Sequence, residues 1–404
     1  MKKLPRILIY FSILITVIFL SVSIARDYIA RVYLSEYKSG LNEKRQDGRR
    51  QGHLLRRSLE LSPSNAETLF ELGNFYVNEK HIGKSREDRN RSYELAKEFF
   101  QEALIRKPTD GRKWAVYAWY IGNRGKTNEA IEHFNKAIRL GPKDAYLHMV
   151  YAMWCVNQVK KEINITNTVQ FVEKYRNWQE KDEILKSYDD RSINGVSIAT
   201  FLRTGQMEWD RALSLGTRKD RVRLIGTPRN QAAYNSLADL NLLKCEVDRA
   251  IENYKRANNN LMLTRCYIIK DDYDRAVNIL GSIIKGGGTP FWGNLTKIKK
   301  LLMVVIDNDT KNYQSFYWLG IINTRLRKTE KAIENFETTV QLMPGHIDAH
   351  LNLAKLYNQI GEIDLAIEEY ETVLEQVPNH KEATHLLGEA VRFKYKDAEF
   401  LIKP

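Results

Sequence analysis

The chain has 404 residues, 43% of them hydrophobic and 28% charged, which excludes wholesale disorder and, at that length, a single compact core. Its formal charge of +13 is uneven: residues 1–57 hold 12 Lys and Arg against 4 Asp and Glu, whereas residues 313–404 hold 10 against 14. Nucleic-acid binding wants cations gathered along one folded face, so a basic end beside an apolar run argues against it.

That apolar run comes first in the chain. Ile7–Ala25 is 19 residues without a charge, enough at about 1.5 Å per residue to cross a hydrocarbon layer about 30 Å thick. It exceeds the roughly 7–15 apolar residues of a cleaved signal, so a retained single-pass anchor is expected over 1–25 rather than cleavage after Ser23-Ile24-Ala25. Residues 26–50 follow as a basic juxtamembrane segment. Lys2, Lys3 and Arg6 precede the span, and Arg26, Arg31, Lys38, Lys44 and Arg45 follow it. The charge after the span favours a cytoplasmic body; the MKKLPR start, which resembles bacterial export signals, favours an extracytoplasmic, periplasmic one, and the latter is the expectation.

Beyond residue 50 the dominant feature is a period of 34, set by Pro344 and Pro378. In the unit starting at Ile347, Leu353, Ala354, Tyr357, Gly361, Ala366, Tyr370 and Val373 fall on positions 7, 8, 11, 15, 20, 24 and 27. Small residues at 8 and 20 let two antiparallel helices approach, and large ones fill the seam between them. Residues 111–144 repeat the pattern with Trp114, Tyr117, Ala118, Gly125, Ala130, Phe134 and Pro142; residues 313–346 repeat it with Phe316, Leu319, Gly320, Ala332, Phe336 and Pro344. These spacings resemble the tetratricopeptide repeat (TPR). The resemblance implies an all-α fold, a superhelix of antiparallel helix pairs, here preceded by one transmembrane helix.

Weaker copies extend the array. Residues 66–110 fit if about eleven residues, including HIGKSREDRNR, are inserted at the turn between the helices, and HLLRRSLELSPSN reads as the second helix of a unit before them. The N-terminal array is thus expected over 51–156. Residues 157–228 keep no clean phase and read as an irregular helical insert. Residues 229–285 hold degenerate pairs, with Tyr234, Leu237, Ala238, Ala250, Tyr254 and Ala257 in register. Gly286 to Pro290 breaks the composition, so 286–312 is expected to be a joint with a connecting helix. The C-terminal array spans 313–404, ending in a capping helix with Lys394, Lys396, Asp397 and Glu399 as its solvated face.

Signatures of chemistry are weak by comparison. Gly83-Lys84-Ser85 lacks the glycine and the preceding strand of a phosphate loop, and neither HExxH nor GxSxG occurs. His346, His350, His380 and His385, with Asp348, form the densest ligand-capable set, but their regular register marks them as repeat residues rather than metal ligands. Cys155, Cys245 and Cys266 stand in no ligand spacing and read as buried thiols. The sequons at Asn164, Asn294 and Asn308 matter only where glycosylation occurs, and the basic tract 217–223 reads as a solvated loop. No enzyme, cofactor, metal or small-molecule substrate is expected.

The TPR resemblance also implies where a partner would lie. Positions 2, 5, 9, 12 and 13 of each first helix face a concave groove, which nominates Arg112, Trp119 and Asn123; Gln314, Tyr317, Thr324 and Arg325; and Lys355, Asn358 and Gln359. Amides and cations suit a peptide backbone, and aromatic rings offer area at low entropic cost. Trp119 and Tyr317 suit packing between repeats equally well. Position 5 reads Phe70, Ala115, Asn235, Tyr317 and Leu351, without the lysine of the carboxylate clamp. The expected function is a non-enzymatic, membrane-anchored scaffold for protein partners in an envelope or secretion complex. NAETLFELGNFY and KDAYLHMVYAMW resemble TPR proteins that accompany bacterial surface-polysaccharide assembly, although the C-terminal cysteine-rich module of some anchored relatives is missing. The alternative is a cytoplasmic-facing adaptor that brings a partner to a membrane enzyme.

Overall fold

A computed structural model describes residues 4–41, 48–78, 85–163, 172, 175, 181–215, 228–287 and 293–395. Gly83, Lys84, the sequon at Asn164, the tract 217–223, residues 288–290 and 396–404 lie outside those residues. The described chain is helical apart from a two-residue antiparallel ladder, β1 (Ser192–Ile193) with β2 (Val196–Ser197). It forms two compact units, Met1–Trp154 with Glu208–Leu215, and Cys155–Met207 with Gly216–Pro404.

The first unit holds α1 (Leu4–Gly40), α2 (Gly48–Leu61), α3 (Ala66–Val77), α4 (Arg86–Arg106), α5 (Gly111–Gly122), α6 (Thr127–Leu140) and the start of α7 (Ala145–Ile163). The helices pair as α1 with α2, α3 with α4 and α5 with α6. Pairing follows the expected packing rule. At position 8, Gly73 leaves room for Phe100: a Cβ there would stand 2.6 Å from the ring, closer than real atoms approach. Each proline at position 32 ends a second helix, and the residue two further on caps the next first helix. Asn65 accepts from the amides of Glu67 and Thr68, Asp110 from Lys113, and His346 from Ala349.

Two features of this unit depart from a plain array. Among the described residues no helix is long and apolar enough to cross a membrane; within the expected span 7–25, the side chains of 7–11 and 13 lie outside the description. The stretch 26–40, read from sequence as juxtamembrane, is the continuation of α1, and its Ala30, Leu34 and Tyr37 are buried. Leu34 and Tyr37 join Leu54, Leu55, Leu72 and Phe75 in one apolar cluster, while Ser58 donates to the carbonyl of Ala30 at 2.9 Å. The second half of α1 is therefore the first helix of the first pair.

The other departure explains the lost phase after residue 156. His148, at position 4 of the unit starting at Ala145, meets Glu208 at 2.5 Å and the Pro142 carbonyl at 3.1 Å. His350, also at position 4, meets Glu369 at 2.5 Å and the Pro344 carbonyl at 2.8 Å. Glu369 holds position 23, so Glu208 takes the same place on α9 (Ile198–Leu215), and Trp209 and Ala212, both buried, fall on 24 and 27. Helices α7 and α9 are one repeat with residues 164–197 inserted between them, among them the short α8 (Lys181–Lys186) and the β ladder.

The second unit continues with α10 (Pro228–Leu243), α11 (Val247–Arg256), α12 (Asn260–Ile269), α13 (Tyr273–Gly286), α14 (Leu295–Asn308), α15 (Tyr313–Arg325), α16 (Thr329–Leu342), α17 (Ile347–Ile360), α18 (Ile363–Gln376) and α19 (Lys381–Tyr395). Pairs form as α10 with α11, α12 with α13, α15 with α16 and α17 with α18. Gly320 repeats the close approach of Gly73, a Cβ there lying 2.7 Å from Phe336. The turn within each pair needs one left-handed residue at position 15, and Gly361 takes it at φ 88° without strain, whereas Cys245 and Arg327 take it at 59° and 56°.

Candidate functional site

The ten groove residues nominated by sequence fall in separate units. On α5, Arg112, Trp119 and Asn123 lie within about 40° of one another at about 100° per residue. Arg112 forks onto Asp144 at 2.7 and 3.3 Å and covers the Tyr146 ring at 5.2 Å; Trp119 is half-buried and Asn123 exposed.

In the second unit the nominated side chains divide by what they touch. Tyr317 is spent on packing, its ring 4.6 Å from that of His346, 4.9 Å from Trp318 and 5.9 Å from Phe336, and burial pushes its phenol up to about 12. Gln314 donates to Tyr313 at 3.4 Å, and its buried Oε1 lacks a hydrogen-bond partner among the described residues. Thr324 bonds its own helix at Gly320, and Arg325 reaches across to the Ile284 carbonyl at 2.5 Å. Lys355 pairs with Glu382 of α19 at 2.7 Å. Asn358 is half-buried and Gln359 exposed.

Between these stretches the groove-facing positions are closed by the chain itself. Asp239, Leu242 and Leu243, at positions 9, 12 and 13 of the unit starting at Gln231, are all buried. Asp239 pairs with Lys160 of α7 and accepts from the Tyr254 hydroxyl at 2.5 Å. Tyr175 and Tyr188, both fully buried, share a 2.9 Å hydroxyl contact. Burial first, and then the neighbouring Asp239, raises Tyr254 well above the ordinary phenol value. Burial lowers the Arg265 guanidinium in the same cluster. Among the described residues, positions 9, 12 and 13 of this repeat are thus closed, while Ala232 and Asn235 at positions 2 and 5 stay exposed and half-buried.

The histidine set is occupied locally. His346 and His380 accept from the amides of Ala349 and Ala383 at 3.1 and 3.2 Å, and His350 is held by Glu369 and Pro344. Among the described residues no group of three or more His, Cys, Asp or Glu is placed to hold a metal.

Sequence reasoning missed a cavity of about 650 Å³ between α4, α5 and α6. Trp114, Tyr117 and His133 supply its rings, Leu104, Ile105 and Pro108 its aliphatic wall, and Gln101, Glu129 and Lys136 its polar atoms. The His133 ring lies 5.0 Å from Trp114 and 5.2 Å from Tyr117, and the Lys136 ammonium sits 3.7 Å over Trp114. Trp114 and Tyr117 point about 140–200° away from Arg112 around α5, so this is a different face from the nominated groove. The signal available in sequence was the set of positions 4, 7, 23 and 26, where aromatic, imidazole and ammonium groups replace ordinary seam residues.

A family model described as tetratricopeptide repeat matches residues 325–390. A TPR repeat-containing protein of Methanocaldococcus jannaschii is 21% identical over 298 residues, which is 67% of this chain and 51% of that protein. The chain thus spans about half the length of that curated relative. Similar solved structures include a thermophilic TPR protein of Thermus thermophilus, at 19% identity and TM-score 0.26, covering 52% of this chain and 98% of that one. They also include YrrB, a TPR protein with an unusual peptide-binding site, at 15% identity and TM-score 0.24, covering 63% and 96%. Residues 325–390 thus match the tetratricopeptide repeat, and the helix pairs with their register make the described chain an all-α helical repeat of that type; tetratricopeptide repeats as a class mediate protein–protein interactions.

Proposed function

We propose that the chain is a membrane-tethered, non-enzymatic scaffold that holds a segment of a partner protein along the first helices of residues 313–380. The observation that carries this reading is the face of α17, where Lys355, Asn358 and Gln359 lie within about 100° of one another and remain half-buried or exposed. The opposite side of the same helix is closed by Leu353, Ala354 and Tyr357. Amide and ammonium groups aligned along an accessible helix face suit hydrogen bonding to an extended backbone.

Tethering is supported by α1. From Leu14 to Ile24 its large apolar side chains are at least half exposed, with Phe19 at 74% and Ile24 at 69%. Apolar surface of that extent in water is unfavourable by roughly 25 cal/mol for each Å², which a bilayer would relieve. Because α1 runs unbroken into the buried Ala30, Leu34 and Tyr37, the tether and the first repeat would move as one piece. The reading places the repeats outside the cytoplasm, in assembly or export of envelope components such as surface polysaccharide.

Two measurements test it. A photoreactive side chain at position 359 should capture a partner in intact membranes, and the same group at position 368, on the polar side of α18, should not. A reporter fused at the C-terminus should be active outside the cytoplasm. Activity inside instead would replace this reading with an adaptor that recruits a partner to a membrane enzyme.

A further inference from the structure

We propose, on the basis of the scaffold reading, that Glu382 sets the partner class of the α17 face: by holding Lys355 it makes that face select an uncharged extended segment, rich in amide and hydroxyl side chains, over an acidic one. Cations on the first helices are spent in a regular way. Lys38 of α1 and Lys113 of α5 both meet Glu67 of α3, at 2.7 and 2.5 Å. Arg112 of α5 meets Asp144 at 2.7 Å, and Lys160 of α7 meets Asp239 of α10. Lys355 of α17 meets Glu382 of α19 at 2.7 Å. In each case the acid belongs to a neighbouring first helix or to the turn before it, so these cations are answered inside the stack before a partner arrives.

The α17 face shows what this leaves for a ligand. The Lys355 contact holds the Glu382 carboxyl below its ordinary range, so that group is ionised at neutral pH. With its side chains 38 and 55% exposed, the pair adds little to stability. Its effect falls on the partner. A partner carboxylate reaches Lys355 only by displacing Glu382, which exchanges one ion pair for another and leaves two carboxylates close together. Asp348, on the same stripe of α17 about 20° from Lys355, repels it further. Neither acid calls for a cation, because Asp348 and Glu382 stand in the first turns of α17 and α19, where the helix N-terminus compensates them. The unspent groups are neutral. Among the described residues the side-chain amides of Asn358 and Gln359 have no hydrogen-bond partner, and each holds both donors and an acceptor. Peptide amides and the side chains of Asn, Gln, Ser and Thr donate and accept in the same way and bring no charge to be compensated.

The test pans a display library of random nine-residue segments on the full-length chain in detergent micelles. Three targets are used: wild type, Glu382→Gln, and the triple variant Lys355→Ala, Asn358→Ala, Gln359→Ala, each checked by melting. Segments enriched on wild type but not on the triple variant should show no excess of Asp and Glu over the starting library and at least twofold enrichment of Asn, Gln, Ser and Thr. Glu382→Gln releases Lys355 and should raise Asp and Glu among its segments at least threefold over wild type. A wild-type set rich in Asp and Glu or in Lys and Arg, or a Glu382→Gln set of unchanged composition, overturns the proposal while leaving the α17 face as a docking site. If no segment separates wild type from the triple variant, the scaffold reading of this face falls and the proposal falls with it.

Discussion

His350 donates through Nδ1 to Glu369 at 2.5 Å while its Nε2 faces the Pro344 carbonyl at 2.8 Å, so both ring nitrogens point at acceptors. A carboxylate and a carbonyl together favour the doubly protonated ring. The Glu369 contact first, and the Pro344 carbonyl after it, hold the imidazolium above its ordinary value of 6.5. A group with a raised folded value stabilises the fold fully below the unfolded value, and that contribution is lost as pH climbs through the folded one. The melting temperature of the wild-type chain should therefore exceed that of His350→Gln by more at pH 6 than at pH 8.5. His346, lowered first by burial and in smaller part by the His350 charge, has the opposite sign and is present in both proteins, so all but that smaller part cancels in the difference. An equal gap at both pH values contradicts the assignment.

The same substitution at one repeat position should act in opposite directions on two helices. Gly320 and Gly388 both occupy position 8, but a Cβ on Gly320 meets the Phe336 ring at 2.7 Å, whereas on Gly388 it meets nothing within 4 Å among the described residues. Gly320→Ala should destabilise by about 1–3 kcal/mol through overpacking. Gly388→Ala should stabilise by about 0.5–1 kcal/mol, because alanine is the better residue in a helix interior. Denaturant titration of the two variants decides this, and equal signs would show the register to be misplaced.

Asp239 is the keystone of the closed middle groove. Its carboxylate is almost wholly buried between the Lys160 ammonium and the Tyr254 hydroxyl. Asp239→Ala leaves a cation and a buried O–H without their acceptor and should cost about 2–4 kcal/mol. Tyr254→Phe removes one hydrogen bond and should cost only about 1 kcal/mol. Urea unfolding measures both; a neutral Asp239→Ala would mean the groove is not held shut by this pair.

How far the sequence could be read depended on spacing. Residues 111–144 and 313–380 were legible because Pro142, Pro344 and Pro378, the left-handed Gly125 and Gly361, and the small residues at 8 and 20 each answer a local steric demand. The repeat made by α7 and α9 was not, since the 34 residues of 164–197 separate His148 from Glu208 and only three-dimensional pairing restores the phase. The first helix of the first repeat was masked for another reason: in α1 it continues an apolar run, and Ala30, Leu34 and Tyr37 read as the flank of a span. The cavity over Trp114 draws on three helices, and no one-dimensional period marks such a convergence. Tyr317 shows the limit of position rules, because position 5 nominated it for a partner and the structure surrounds it with Trp318, Phe336 and His346.

The scaffold reading rests most heavily on the accessible face of α17. Lys355, Asn358 and Gln359 should be replaced together by Ala in the full-length chain, melting should confirm that the helices persist, and the partners crosslinked in intact membranes should be quantified against wild type. Side chains of this kind at the centre of an interface contribute on the order of 2 kcal/mol, roughly a thirtyfold change in affinity. The account predicts that the partner captured by wild type falls by at least tenfold. Undiminished recovery of the same partner from the triple variant would contradict it.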